Sequence, residues 1–144
     1  MAVNKSDRKK SRTEYDNSFF VVYHDAVNLC RLHLGAKGET FECNKGYIAR
    51  MSNKILDSVT DMGKYIRIAN SIYPIYKSEL EERRIAQEKA IGLCFDVLTK
   101  YQLAMKELGV PDDKYTNEIK HLMHEINCLK SWRTSDNERY KNLG

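Results

Sequence analysis

Residues 46–73, GYIARMSNKILDSVTDMGKYIRIANSIY, decide the fold. Ile48, Met51, Ile55, Val59, Met62, Ile66 and Ala69 recur at steps of three and four, which puts them on one side of a helix. Arg50, Lys54, Asp57, Asp61 and Lys64 follow the same steps on the opposite side, with alternating signs that suit a solvated face and local ion pairs. The spacing predicts an amphipathic helix over 47–73, ended or kinked by Pro74. A helix of that length with one apolar stripe needs neighbours to cover it.

Those neighbours are legible on both sides. Upstream, NSFFVVYHDAVNLCRLHLG (17–35) offers Asn17 or Ser18 as a cap and Gly35 as a stop. Phe19 to Tyr23 alone could form a strand, but Tyr23, Ala26, Val27, Cys30 and Leu34 keep the helical period. GAKGETFECNKG (35–46), with three glycines, is expected as a loop. Downstream, a third helix over 78–108 carries Leu80, Ile91, Cys94, Leu98, Tyr101, Met105 and Leu108 inward, with Ser78 and Glu81 as a capping box. Gly109 and Pro111 stop it. A fourth helix then starts near Asp112 and Asp113, with Tyr115, Ile119, Leu122, Ile126 and Leu129 on its inner side. No strand stands out, so the fold class is all-α: an antiparallel up-down-up-down four-helix bundle. The expected organisation is a disordered basic tail over 1–16, the bundle over 17–133 and a polar basic tail over 134–144.

The chain has 144 residues, enough for one core, with 2 prolines and 7 glycines. No apolar run approaches the roughly 20 residues of a membrane span, and the opening residues lack the apolar stretch of a secretory signal. A cytoplasmic, membrane-free protein is expected. Cys30, Cys43, Cys94 and Cys128 form no C-x-x-C pair, which argues against a disulfide framework or zinc ribbon. The net charge of +4 is uneven: residues 1–14 carry +3, residues 130–144 carry +2 and the body between them −1. Basic ends on a near-neutral body suit contact with a polyanion, and equally suit simple solubility.

Signals for catalysis are weak. In HLMHE (121–125), His121 and His124 stand at i, i+3, whereas a zinc helix wants i, i+4 with further ligands. The carboxylate pairs Glu81–Glu82 and Asp112–Asp113 lie in helix first turns, where the dipole already accounts for them. Neither the second nor the third helix carries an inward Glu-x-x-His. No enzyme activity, metal or cofactor is expected. Tyrosines beside basic residues are more numerous, as in Lys64-Tyr65, Tyr76-Lys77 and Arg139-Tyr140-Lys141, a mixture that can serve phosphates and stacked bases or simply a core and its solvated rim.

Three stretches go further than pattern. IRIANSIYP (66–74), ELEERRIAQEKAIGLC (79–94) and INCLKSWRTSDNERY (126–140) resemble the accessory variability determinants of diversity-generating retroelements. The resemblance covers about residues 45–140, and the related four-helix proteins encoded in ribosomal RNA intervening sequences share that fold. It implies a homopentameric barrel that associates with the element's reverse transcriptase and template RNA, and with the cDNA, supporting error-prone synthesis without catalysing it. On that basis Arg50, Lys54, Lys64, Arg67, Arg83 and Arg84 are candidates for the partner-facing surface. Lys130, Trp132, Arg133, Arg139 and Lys141 are candidates for nucleic-acid or polymerase contact, with Trp132 alternatively packing the bundle end. The other reading is a structural or protein-interaction bundle with no polymerase partner.

Overall fold

Helical periodicity and scarce helix breakers leave the chain little else to form, and every regular element of the described residues is helical. The computed structural model describes the backbone of residues 5–143 and the side chains of residues 18–143. Five α-helices follow in order: α1 (Lys5–Arg31), α2 (Gly38–Cys43), α3 (Lys45–Ser71), α4 (Lys77–Leu108) and α5 (Thr116–Arg139). Short 3-10 turns occupy His33–Gly35 and Asp112–Tyr115.

Four long helices share one core. α1 packs against α3 and α5, and α4 packs against the same two. Residue pairs run in opposite order along neighbours: Cys94 meets Met62 and Lys89 sits over Tyr65, while Asp25 meets His121 and Ser18 faces Cys128. Ile55, Val59, Met62, Ile66 and Ala69 of the deciding stripe are all buried, with Val22, Ala90, Val97, Leu122, Ile126 and Leu129 opposite them. Arg50, Lys54, Asp57, Asp61 and Lys64 are all exposed, as the alternating charges require.

Several boundaries differ from the sequence reading. α1 begins at Lys5 rather than Asn17, since Lys, Arg and Glu in that stretch are good helix formers. Residues 1–4, and the side chains through Asn17, lie outside the described residues. α1 ends at Arg31, four residues before Gly35. His33 and Leu34 both take φ of 55° and Gly35 takes 82°, so three successive residues are left-handed. Such backbone is costly for non-glycine residues. Leu34 is nonetheless fully buried, and the Tyr115 hydroxyl donates to its carbonyl at 2.6 Å. The expected loop over 35–46 contains α2, and Gly46 belongs to the first turn of α3.

The capping box of α4 is shifted as well. Glu79, not Glu81, reaches back, accepting from the backbone N–H groups of Ile75 (3.0 Å) and Tyr76 (2.9 Å). Gly109 closes α4 with φ of 65°, the left-handed cap expected of it. The largest difference is at the C-terminus: α5 continues to Arg139, and Trp132, Asp136 and Tyr140 are all buried. Residues 134–140 are therefore part of the packed body and not a polar tail.

Candidate functional site

The inner stripe of α5 does not stop at Leu129. Trp132, Asp136 and Tyr140 extend it in steps of three and four, and this carries a carboxylate into the core near the start of α4. There Arg83, 4% exposed, meets Asp136, 2% exposed. Arg83 Nε donates to Oδ2 at 2.7 Å and Nη2 to Oδ1 at 3.0 Å, a two-pronged pairing. Arg83 Nη1 donates to the Ile72 carbonyl at 2.8 Å, and Gln87 Nε2 donates to Asp136 Oδ2 at 2.7 Å. The guanidinium carbon lies 5.0 Å from the centre of the Trp132 ring and 5.8 Å from that of Tyr140. Buried Asn70 and Pro74 belong to the α3–α4 corner, which Ile72 ties to the same arginine.

This cluster relocates two of the sequence candidates. Trp132 is fully buried and has no face free for a base, and Arg83 is consumed by Asp136 and Ile72. Both are structural in this fold: the α5 stripe that continues past Leu129 turns Trp132 and Asp136 inward, and Asp136 holds Arg83 of α4 beside them. The buried pair fixes how α4, α5 and the α3–α4 corner meet. Asp136 and Gln87 were not singled out from sequence, although Asp136 stands at i+4 from Trp132 on a stripe already in view.

The remaining candidates lie on the surface. Arg50, Lys54, Lys64 and Arg67 are exposed along α3. Lys64 and Lys89 both lean over the Tyr65 ring, their ammonium groups 5.3 and 5.2 Å from its centre. Arg84 pairs with Asn137 across α4 and α5. Lys130 is exposed over Phe95 at 5.4 Å. Arg133 approaches Glu88 at 3.8 Å, Lys141 bonds Glu138 at 2.8 Å, and Arg139 is half-buried. Around the Arg83 cluster the α3–α4 corner exposes Tyr73, Ile75 and Tyr76. One end of the molecule thus combines surface cations, two tyrosine rings and an isoleucine above a buried ion pair.

The two histidines of α5 are directed to different partners. His121 Nδ1 lies 2.6 Å from Asp25 Oδ2, and His124 Nε2 lies 3.4 Å from Cys128 Sγ. No group of three possible metal ligands occurs among the described residues, and none of their helices is long and apolar enough to cross a membrane. None of the four cysteines forms a disulfide among the described residues, and burial pushes the Cys94 thiol well up.

Glu125 is the unexpected group. It is fully buried on α5, and neither oxygen of its carboxyl makes a hydrogen bond among the described residues. Burial pushes it up to about 7, and the nearby Ser18 hydroxyl, which donates to Cys128 and not to this carboxyl, offsets that only slightly. Its place beside Ile126 on the inner face was readable from the helical period, but its charge suggested the outside. Comparison with protein-family models, with curated proteins and with solved structures finds no match for the chain.

Proposed function

We propose that this chain is a non-catalytic accessory subunit of a diversity-generating retroelement, an up-down-up-down four-helix bundle that assembles into a pentameric ring. In this reading it binds the element's reverse transcriptase and template RNA in the cytoplasm and supports mutagenic cDNA synthesis. One observation carries the proposal. The three stretches that bear the resemblance, distant in sequence, supply Asn70 and Ile72, then Arg83 and Gln87, then Trp132, Asp136 and Tyr140 to a single end of the molecule. Residues shared with a family through such a cluster would preserve its helix geometry.

The contact surface assigned in this reading is Arg50, Lys54, Lys64, Arg67, Arg84, Lys130, Arg133, Arg139 and Lys141, without Arg83 and Trp132. The opposing reading, a protein-interaction bundle without RNA, is favoured by Asp57 and Asp61, which interrupt the cations of α3. Light scattering with and without a structured RNA across a salt series separates them. RNA binding should fall as salt rises, with a log–log slope of roughly 0.7–0.9 per phosphate contact. Lys130→Glu with Arg139→Glu should weaken binding by about tenfold or more at moderate salt. RNA affinity that ignores both salt and these reversals would leave the protein-interaction bundle.

A further inference from the structure

The seam between α1 and α5 holds one group that neither helix satisfies. His121, Glu125 and Cys128 follow each other on α5 at steps of four and three, and Ser18, Val22 and Asp25 do so on α1. Because the two helices run in opposite directions, these positions meet as rungs. Asp25 Oδ2 lies 2.6 Å from His121 Nδ1 at one end, and the Ser18 hydroxyl lies 4.0 Å from Cys128 Sγ at the other. Between them the register brings Glu125 to the level of Val22, an apolar side chain, and both are buried. The carboxyl is shut from water and makes no hydrogen bond among the described residues. The Cys94 thiol of α4 is close enough to feel its charge and lies 3.4 Å from the Met62 sulfur of α3; burial pushes that thiol up, so it stays uncharged. On α5 itself the next titratable groups are His121, one turn before, and Cys128 with His124 on its sulfur, one turn after. No lysine or arginine of the described residues pairs with Glu125.

Two of these rungs respond to pH in the same sense. A carboxyl without donors has to keep its proton to stay buried. A histidine is charged only on the acid side of neutrality, so the Asp25–His121 contact is an ion pair there and a weaker neutral bond above it. The grip of α4 on α5 has no such dependence on its cation, since the Arg83 guanidinium that meets Asp136 cannot be deprotonated in a protein. We propose that the α1–α5 seam is a pH-sensitive latch, which holds α1 down on the acid side of neutrality and lets it lift from α5 on the alkaline side while α3, α4 and α5 stay packed. The lift starts from the Lys5 end, because Tyr115 holds the backbone that follows α1 through the Leu34 carbonyl. What it uncovers is the buried stripe of α1: Val22, Ala26 and Leu29. The latch needs no RNA and no second chain, so its failure would leave the accessory-subunit reading untouched.

Native-state hydrogen exchange on the full chain tests it, with rates corrected for the pH dependence of an unprotected amide. Burial holds the carboxyl up to about 7 against the ordinary 4.5, so opening of α1 should become on the order of fiftyfold more frequent between pH 5 and pH 8. At pH 8 the amides around Val22 should exchange faster than those around Cys94 of α4. They should also depend less on added urea, because a lifted helix exposes less surface than an unfolded chain. Glu125→Gln should remove most of the pH dependence. Asp25→Asn should lower the protection of α1 by about threefold at pH 5 and hardly at all at pH 8. Equal rates with equal urea dependence in α1 and α4 would mean that only the whole chain opens, and would overturn the proposal. So would α1 protection that ignores pH, or a Glu125→Gln variant that keeps the wild-type dependence. An Asp25→Asn loss of the same size at both pH values would overturn the part given to His121.

Discussion

Arg83 satisfies three acceptor positions while sandwiched near two aromatic rings, with partners drawn from the α3–α4 corner and from the end of α5. A buried pair of this kind is costly to break on one side, because the surviving charge stays buried and uncompensated. Asp136→Ala is expected to destabilise the protein by about 3–5 kcal/mol in urea unfolding. Removing the pair together, as Arg83→Met with Asp136→Leu, should cost less than the single change, and a double-mutant cycle would show it. Glu125 behaves differently. Burial raises its carboxyl from the ordinary 4.5 to about 7, so the folded state holds a proton that the unfolded state has released in that window. Stability from the protonated form is therefore complete below about pH 4.5 and is lost as pH rises through about 7, a difference of roughly 3 kcal/mol. Glu125→Gln should gain on the wild type between pH 5 and about pH 7 and level off above that in paired urea titrations. A constant difference across that range would show that Glu125 is not the titrating group.

The helices were legible wherever one face repeats without interruption. α3 was located to within two residues at each end because seven apolar positions and five charged ones agree about its orientation. α4 was readable from Leu80 to Leu108, but its cap was misplaced by two residues. Ser78 and Glu81 satisfy the motif in sequence, while the corner geometry gives the backbone N–H groups of Ile75 and Tyr76 to Glu79. Glu79→Ala should therefore cost about 1 kcal/mol in thermal or urea unfolding, and Glu81→Ala much less. The glycines divide the same way. Gly63→Ala must displace the Phe19 ring and should destabilise by about 1–3 kcal/mol, whereas a Cβ on Gly92 of α4 would meet nothing within 4 Å. Sequence alone shows two equivalent glycines in two helices. The C-terminal part of α5 escaped notice because Thr134, Ser135, Asp136, Asn137 and Glu138 are polar in a row. What identifies the segment is position: Trp132, Asp136 and Tyr140 fall on the stripe, and their burial follows from the company of Arg83.

At the scale of the whole molecule, the all-helical class, the inner stripes and the exposed cations of α3 followed from periodicity. The meeting of distant residues did not, since nothing in a single chain announces that Asn70, Arg83 and Asp136 share one end. The boundary at residue 133 gives a direct check. A chain ending there would lose Asp136 and Tyr140, leave Arg83 buried without its carboxylate and lose at least about 3 kcal/mol of stability. If residues 134–144 were only a tail, the shortened chain would melt as the full one does.

The left-handed corner at His33–Leu34–Gly35 ties the first turn of the chain to the last. Its carbonyl acceptor at Leu34 is capped by Tyr115, 81 positions further on, and Val110 lies 3.3 Å from where a Cβ on Gly35 would sit. During synthesis, α1 and α3 can emerge and pair, but the bend between them lacks its clasp until the segment that opens α5 has also appeared. The earliest corner of this fold is thus finished by one of the latest parts to be made, and an incomplete chain carries its strained bend unsecured.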